Sequence, residues 1–91
     1  MTRRCVIDGR AIRTLADVYA ALARQLAFPA HFGRNLDALH DALTGDIAGP
    51  IEIVWRDHRL SEAALGADYA RLLAVLTDAS AARDDLSLIL D

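Results

Sequence analysis

A chain of 91 residues with 54% hydrophobic and 25% charged side chains has the make-up of one globular domain and excludes a disordered tail. Its formal net charge of −3 argues against a surface built to hold nucleic-acid phosphates and suits a basic partner. The single cysteine, Cys5, excludes an intrachain disulfide and any multi-cysteine metal site.

The first predicted strand is Arg4-Cys5-Val6-Ile7-Asp8, ended by Gly9, with Cys5 as a small apolar strand residue. Its apolar run is too short for a signal-peptide core and nothing later approaches a membrane span, so a cytoplasmic chain without a membrane partner is expected. Thr14 is suited to cap the first helix, with Asp17 three residues on to reinforce its start. Leu15, Val18, Leu22 and Leu26 then form an apolar stripe over about three turns. Phe28-Pro29 is expected to end that helix, because proline disfavours the helical conformation in the residue before it. A tight connection over 30–33 leads to Asn35, which caps a second helix predicted to run to Thr44. Gly45 stands where a left-handed C-terminal residue is wanted.

Gly49-Pro50 precedes a second strand, Ile51-Glu52-Ile53-Val54-Trp55. Ser61 reads as the cap of a short helix through Leu65, interrupted near Gly66. A longer helix starts at Ala67-Asp68 and carries Tyr69, Leu72, Leu73 and Leu76. His58 reads as a loop surface residue, and Leu86-Ser87-Leu88-Ile89-Leu90 as the last strand. No repeat, linker or low-complexity tract divides the chain.

Strands separated by helices imply parallel pairing through crossovers. Ile51, Ile53 and Trp55 share one strand face, opposite Glu52, Val54 and Arg56; Leu86, Leu88 and Leu90 oppose Ser87, Ile89 and Asp91. A sheet covered on both sides would instead carry near-continuous apolar runs. The fold class is therefore α/β: two layers, a three-stranded parallel sheet with the helices packed on one face, forming one domain over 1–91. Glu52, Ser87 and Arg4 should lie on the uncovered face, and Ile53, Trp55, Leu88 and Leu90 under the helices.

The second helix divides into two faces at about 100° per residue. Leu36, Leu39 and Leu43 cluster on one, while Asp37, His40, Asp41 and Thr44 form a contiguous arc on the other. Asp37 and Asp41, four residues apart, repel each other by a few tenths of a kcal/mol, about the size of any like-charge pair at this spacing. Asp41 also lies in the C-terminal half, where the helix dipole disfavours negative charge, and Asp46 adds a third carboxylate near the same end. A helix selected only for stability would place a cation there.

The stretch from Phe28 to Gly45, FPAHFGRNLDALHDALTG, resembles the signature of the barstar family: a proline, two aromatics, then Gly-x-Asn-(Leu/Trp)-Asp-Ala-Leu-x-Asp-x-Leu-Thr-Gly. Val6-Ile7-x-Gly9 and Ile12-Arg13 before it, and Pro50 with Trp55-Arg56 after it, extend the resemblance over essentially the whole chain. It implies an intracellular inhibitor of a small guanyl-specific bacterial ribonuclease, or an immunity protein against a related ribonuclease toxin domain. The implied fold is a three-stranded parallel sheet with helices, and the implied mode is a second helix and preceding loop that plug the nuclease active site. The free protein is expected to be monomeric, and no cofactor or metal is implied.

By position, Asn35, Asp37, Asp41, Thr44 and Gly45 match partner-contacting residues, together with His31, Phe32 and Gly33 of the preceding loop. The aspartate matching Asp41 takes the place of a substrate phosphate. Asp78, on the last helix, falls where the family has a glutamate that also reaches the enzyme. His31 and His40 stand where the family has aromatic anchors, and Asp46 replaces a third. These histidines can stack, and they bring a titratable ring that Tyr and Trp do not.

Two other readings compete. A small hydrolase could use His31, His40 and Asp41, but adjacent helical residues diverge by about 100° and seldom act as a catalytic pair. No nucleophile elbow, metal-spaced ligand set or glycine-rich phosphate loop supports an enzyme. The other reading keeps the fold but directs it at a toxin that is not a guanyl-specific ribonuclease, since fold alone does not set function.

Overall fold

The computed structural model describes residues 2–91. Three strands, β1 (Arg3–Asp8), β2 (Ile51–Arg56) and β3 (Leu86–Leu90), form one parallel sheet in the order β1-β2-β3. Arg3 pairs with Ile51 and Ile51 with Leu86, so residues with the same facing line up across all three strands. One face carries Cys5, Ile7, Ile51, Ile53, Trp55 and Leu86, all buried in a single core with the helices. Burial pushes the Cys5 thiol up to about 11, so it behaves as an apolar side chain.

The opposite face is open, as the alternation requires. Arg4 and Glu52 form a surface ion pair there at 3.2 Å, and Ser87 is exposed. Val54 is nevertheless only 4% exposed on this face, because Val6 and Ile89 flank it across the register. The expected burial of Leu90 fails: it is 41% exposed, and Leu88 is only partly buried. Both belong to an edge strand, so each has a strand neighbour on one side alone. At the other edge, the Gln25 carboxamide accepts from Val6 N–H and donates to Val6 C=O, both at 2.9 Å, mimicking a further strand.

Helix α1 (Leu15–Leu26) opens on the capping box its sequence predicts, with Asp17 N–H donating to Thr14 Oγ1 and Thr14 N–H to Asp17 Oδ2. It ends at Leu26, three residues before Pro29. Ala27 takes the left-handed conformation at φ 55°, and the Phe28 N–H bonds back to Ala23 C=O. Helix α3 (His58–Leu65) and helix α4 (Ala67–Ala82) meet at Gly66, φ 60°.

Two readings of this region change. Ser61 is no cap: it is buried inside α3, accepts from Trp55 Nε1–H at 3.0 Å and donates to Gly9 C=O at 3.2 Å. His58 is no loop residue: it begins α3, half-buried, with Nδ1 2.7 Å from the Tyr69 hydroxyl. Both side chains join the partly or fully buried polar groups that must find partners. Among the described residues no helix is long and apolar enough to cross a membrane.

Candidate functional site

The loop entering the second helix is fixed by aromatic packing. Phe32 meets Phe28 edge-on at 4.9 Å and Tyr19 of α1 at 5.9 Å, while its N–H donates to Pro29 C=O. Asn35 then caps α2 (Leu36–Asp41): its Oδ1 accepts from Ala38 N–H at 2.7 Å and its Nδ2 donates to Gly33 C=O at 3.3 Å. Both ends of the Asn35 amide thus lock the loop to the helix.

The helix does not continue regularly to Thr44. From Ala42 to Asp46 it widens into a π-turn, in which Ile47 N–H reaches back five residues to Ala42 C=O at 3.2 Å. Gly45 is therefore no left-handed cap; Gly66 is the only glycine with positive φ among the described residues. A Cβ on Gly45 would meet nothing within 4 Å, so neither backbone conformation nor packing within the chain requires a glycine there.

The widening also recruits Asp46. A five-residue step in a regular α-helix turns about 140° past a full circle, whereas closure by five residues returns it to nearly the same side. Asp41 and Asp46 accordingly line one cleft of about 210 Å³ with Ala38 and Ala42 of the helix and His31, Phe32 and Gly33 of the loop. Asp37 stands exposed one turn before Asp41, with half-buried His40 on the same segment. Thr44 is half-buried and donates to His40 C=O at 2.7 Å, leaving its oxygen lone pairs to accept. Asp78 is exposed on α4 but does not line this cleft; it borders a separate groove with Tyr69, Leu73 and Thr77.

What marks this surface is the clustering of unpaired carboxylates on one segment. Asp8, Glu52, Asp57, Glu62, Asp68 and Asp85 all have an arginine partner. Among the described residues, Asp17, Asp37, Asp41, Asp46, Asp78, Asp84 and Asp91 have none. Asp17 is engaged by backbone N–H groups in its capping box and Asp84 and Asp91 flank β3, whereas Asp37, Asp41 and Asp46 share one segment. No group of three or more His, Cys, Asp or Glu among the described residues is disposed to hold a metal. Three uncompensated carboxylates on one short helical element, beside a cleft with an aromatic in its wall, form an acidic surface ready for a cationic partner.

The family model described as Barstar (barnase inhibitor) matches residues 2–90. The chain belongs to the barstar family. A family relative from Bacillus subtilis (strain 168), named "Putative ribonuclease inhibitor YrdF", is 33% identical over 90 residues, covering 98% of this chain and 99% of its own. The three-stranded parallel sheet with its helices is consistent with the α/β fold of that family. Sequence reasoning missed Arg83, whose guanidinium reaches the carbonyls of the π-turn from the connection before β3. Nothing local to Arg83 announces that role.

Proposed function

We propose that the chain is an intracellular proteinaceous inhibitor of a small basic bacterial ribonuclease or ribonuclease toxin domain. It would act by inserting α2, the π-turn and the loop before α2 into the active site. The observation that carries this reading is the set of unpaired carboxylates Asp37, Asp41 and Asp46 on one rigid element. A ribonuclease gathers cationic side chains around the scissile phosphate to stabilise transition-state charge, and fixed carboxylates compete for those cations. Asp41 is the proposed phosphate mimic, flanked by Asp37 and Asp46. His31, Phe32, Gly33, Asn35, His40, Thr44 and Gly45 are the proposed surrounding contacts, and Asp78 an outlying one.

Membership of the barstar family and the name of the Bacillus relative support this assignment. In this reading the chain is not itself an enzyme, and residues 1–91 act as one domain. It is monomeric when free. Gln25 occupies the β1 edge, and antiparallel self-pairing of β3 would bring Asp85 toward the Asp91 of a second copy.

The test is titration of the chain into a guanyl-specific ribonuclease while cleavage of a guanosine-containing fluorogenic RNA is followed. Stoichiometric loss of activity is expected, and undiminished cleavage at excess inhibitor would refute the proposal. A second reading is favoured by His31, His40 and Asp46, which replace the family's aromatics and fit a differently shaped rim. The target would then be another toxin, identified by capture on the immobilised chain and loss of capture with Asp41→Ala.

A further inference from the structure

We propose that Arg83 is a positioning residue that holds the binding helix in its widened form and so sets Asp46 beside Asp41. The inference rests on the inhibitor reading above for its consequence and on geometry for its mechanism. In a regular α-helix the N–H of Ile47 would bond to the C=O of Leu43, four residues back. Here that N–H bonds to Ala42 instead, which leaves the carbonyl of Leu43 without a backbone donor at a buried residue.

Arg83 supplies the missing donor. Its Nη1 bonds to Leu43 C=O at 2.7 Å and to Ile47 C=O at 2.6 Å, from 40 and 36 residues away in sequence. The guanidinium is aimed by Asp85, which accepts from Nε at 2.8 Å and from Nη2 at 2.9 Å in a bidentate fork. The Arg83 side chain is 14% exposed, so it acts from behind the binding surface.

Two further features belong to the same device. A Cβ on Gly49 would collide with Asp85 Oδ2 and lie 2.7 Å from Arg83 Nη2, so the ion pair occupies the space a side chain would need. The π-turn carries no basic residue of its own, and Arg83 brings positive charge to the helix end where Asp41 and Asp46 and the helix dipole are all negative. The cation that the local sequence withholds from this helix is delivered from the α4–β3 connection, leaving the outer face acidic.

The widened turn is therefore a choice between two registers, and Arg83 selects one. Without it, the Ile47 N–H regains Leu43 C=O and the five-residue step from Asp41 carries Asp46 away from the cleft. The test uses Arg83→Met, which keeps the stem and removes every donor, with Arg83→Leu, equally without a donor, read in the same way should the methionine variant not fold.

In the free protein, NMR couplings across hydrogen bonds should connect the Ile47 amide to the Ala42 carbonyl in wild type and to the Leu43 carbonyl in the variant. In ribonuclease inhibition, Asp46→Asn should weaken wild type but have little effect in the Arg83 variant, a non-additivity of about tenfold, within the range for neighbours in one network. Asp37→Asn, one turn outside the switch, should cost the same in both backgrounds. Retention of the Ile47–Ala42 coupling in both Arg83 variants overturns the proposal, as does an Asp46 dependence unchanged by them. If wild type inhibits no ribonuclease, the inhibitor reading fails on its own while the couplings still decide the role of Arg83.

Discussion

Replacing Asp41 by alanine should move binding and stability in opposite directions. Asp41 is exposed and has no ion-pair partner among the described residues, so its removal breaks no salt bridge within the chain. Losing the repulsion from Asp37 gains about 0.2–0.5 kcal/mol, and relief at the negative end of the helix dipole is worth about 0.3–1 kcal/mol at an exposed site. Alanine is also the better helix former. Discounted for solvent screening, folding stability should be unchanged or raised by up to about 1 kcal/mol, shifting the melting temperature upward by at most about 4–8 °C for a chain of this size.

Binding should lose at least about 2 kcal/mol, roughly thirtyfold in Kd, because the desolvated partner cations lose their central counter-charge. Thermal unfolding by circular dichroism and inhibition titrations on the same samples give both numbers. If Asp41→Ala inhibits the nuclease as well as wild type does, the assigned binding face is wrong. A fall in melting temperature of more than a few degrees would mean that the carboxylate has an internal role absent from the geometry described.

Gly45→Ala should raise stability by about 0.4–1 kcal/mol, since its backbone is not left-handed and its Cβ meets open space; weakened inhibition by this stabler variant would mark the glycine as a close-approach point, and unchanged inhibition would remove it from the interface. Ser61→Ala should cost about 2–4 kcal/mol in urea denaturation, because the buried Trp55 N–H and the Gly9 carbonyl both lose their partner; a loss under about 0.5 kcal/mol, the surface-like range, would refute that network. Backbone N–H groups of Arg13 and then Thr14 hold the Asp17 carboxyl below the ordinary carboxylate range, and the Arg83 guanidinium does the same for Asp85. Their stabilisation is complete above that range and is lost as pH falls through the lowered folded values, so Asp17→Ala should flatten stability against pH below about pH 4; an unchanged slope in urea midpoints from pH 7 to pH 2 would contradict the assignment.

Much of this molecule was legible along the chain, because its causes are local. The Thr14–Asp17 capping box, the apolar stripe of α1 and the strand alternation each depend on neighbours a few residues apart. The first two appear as expected, and the alternation does so in β1 and in β2 apart from Val54, but not through to the end of β3. The acidic arc of Asp37 and Asp41 was legible for the same reason. Charges four residues apart on a helix are neighbours whatever the rest of the fold does.

What the sequence could not decide lies where the partner comes from far away. Ser61 looks like a cap by pattern, yet its hydroxyl is claimed by Gly9, 52 residues distant. Leu90 has the alternation of a covered residue but belongs to an edge strand. The π-turn, and with it the place of Asp46, depends on a guanidinium 36 to 40 residues downstream. The amino-acid sequence by itself determined which segments are helix or strand and which face of α2 is charged, since periodicity and capping act between near neighbours. Only the tertiary structure decided the register in which that helix ends, because a carbonyl freed by widening stays satisfied only when the folded chain brings it a donor.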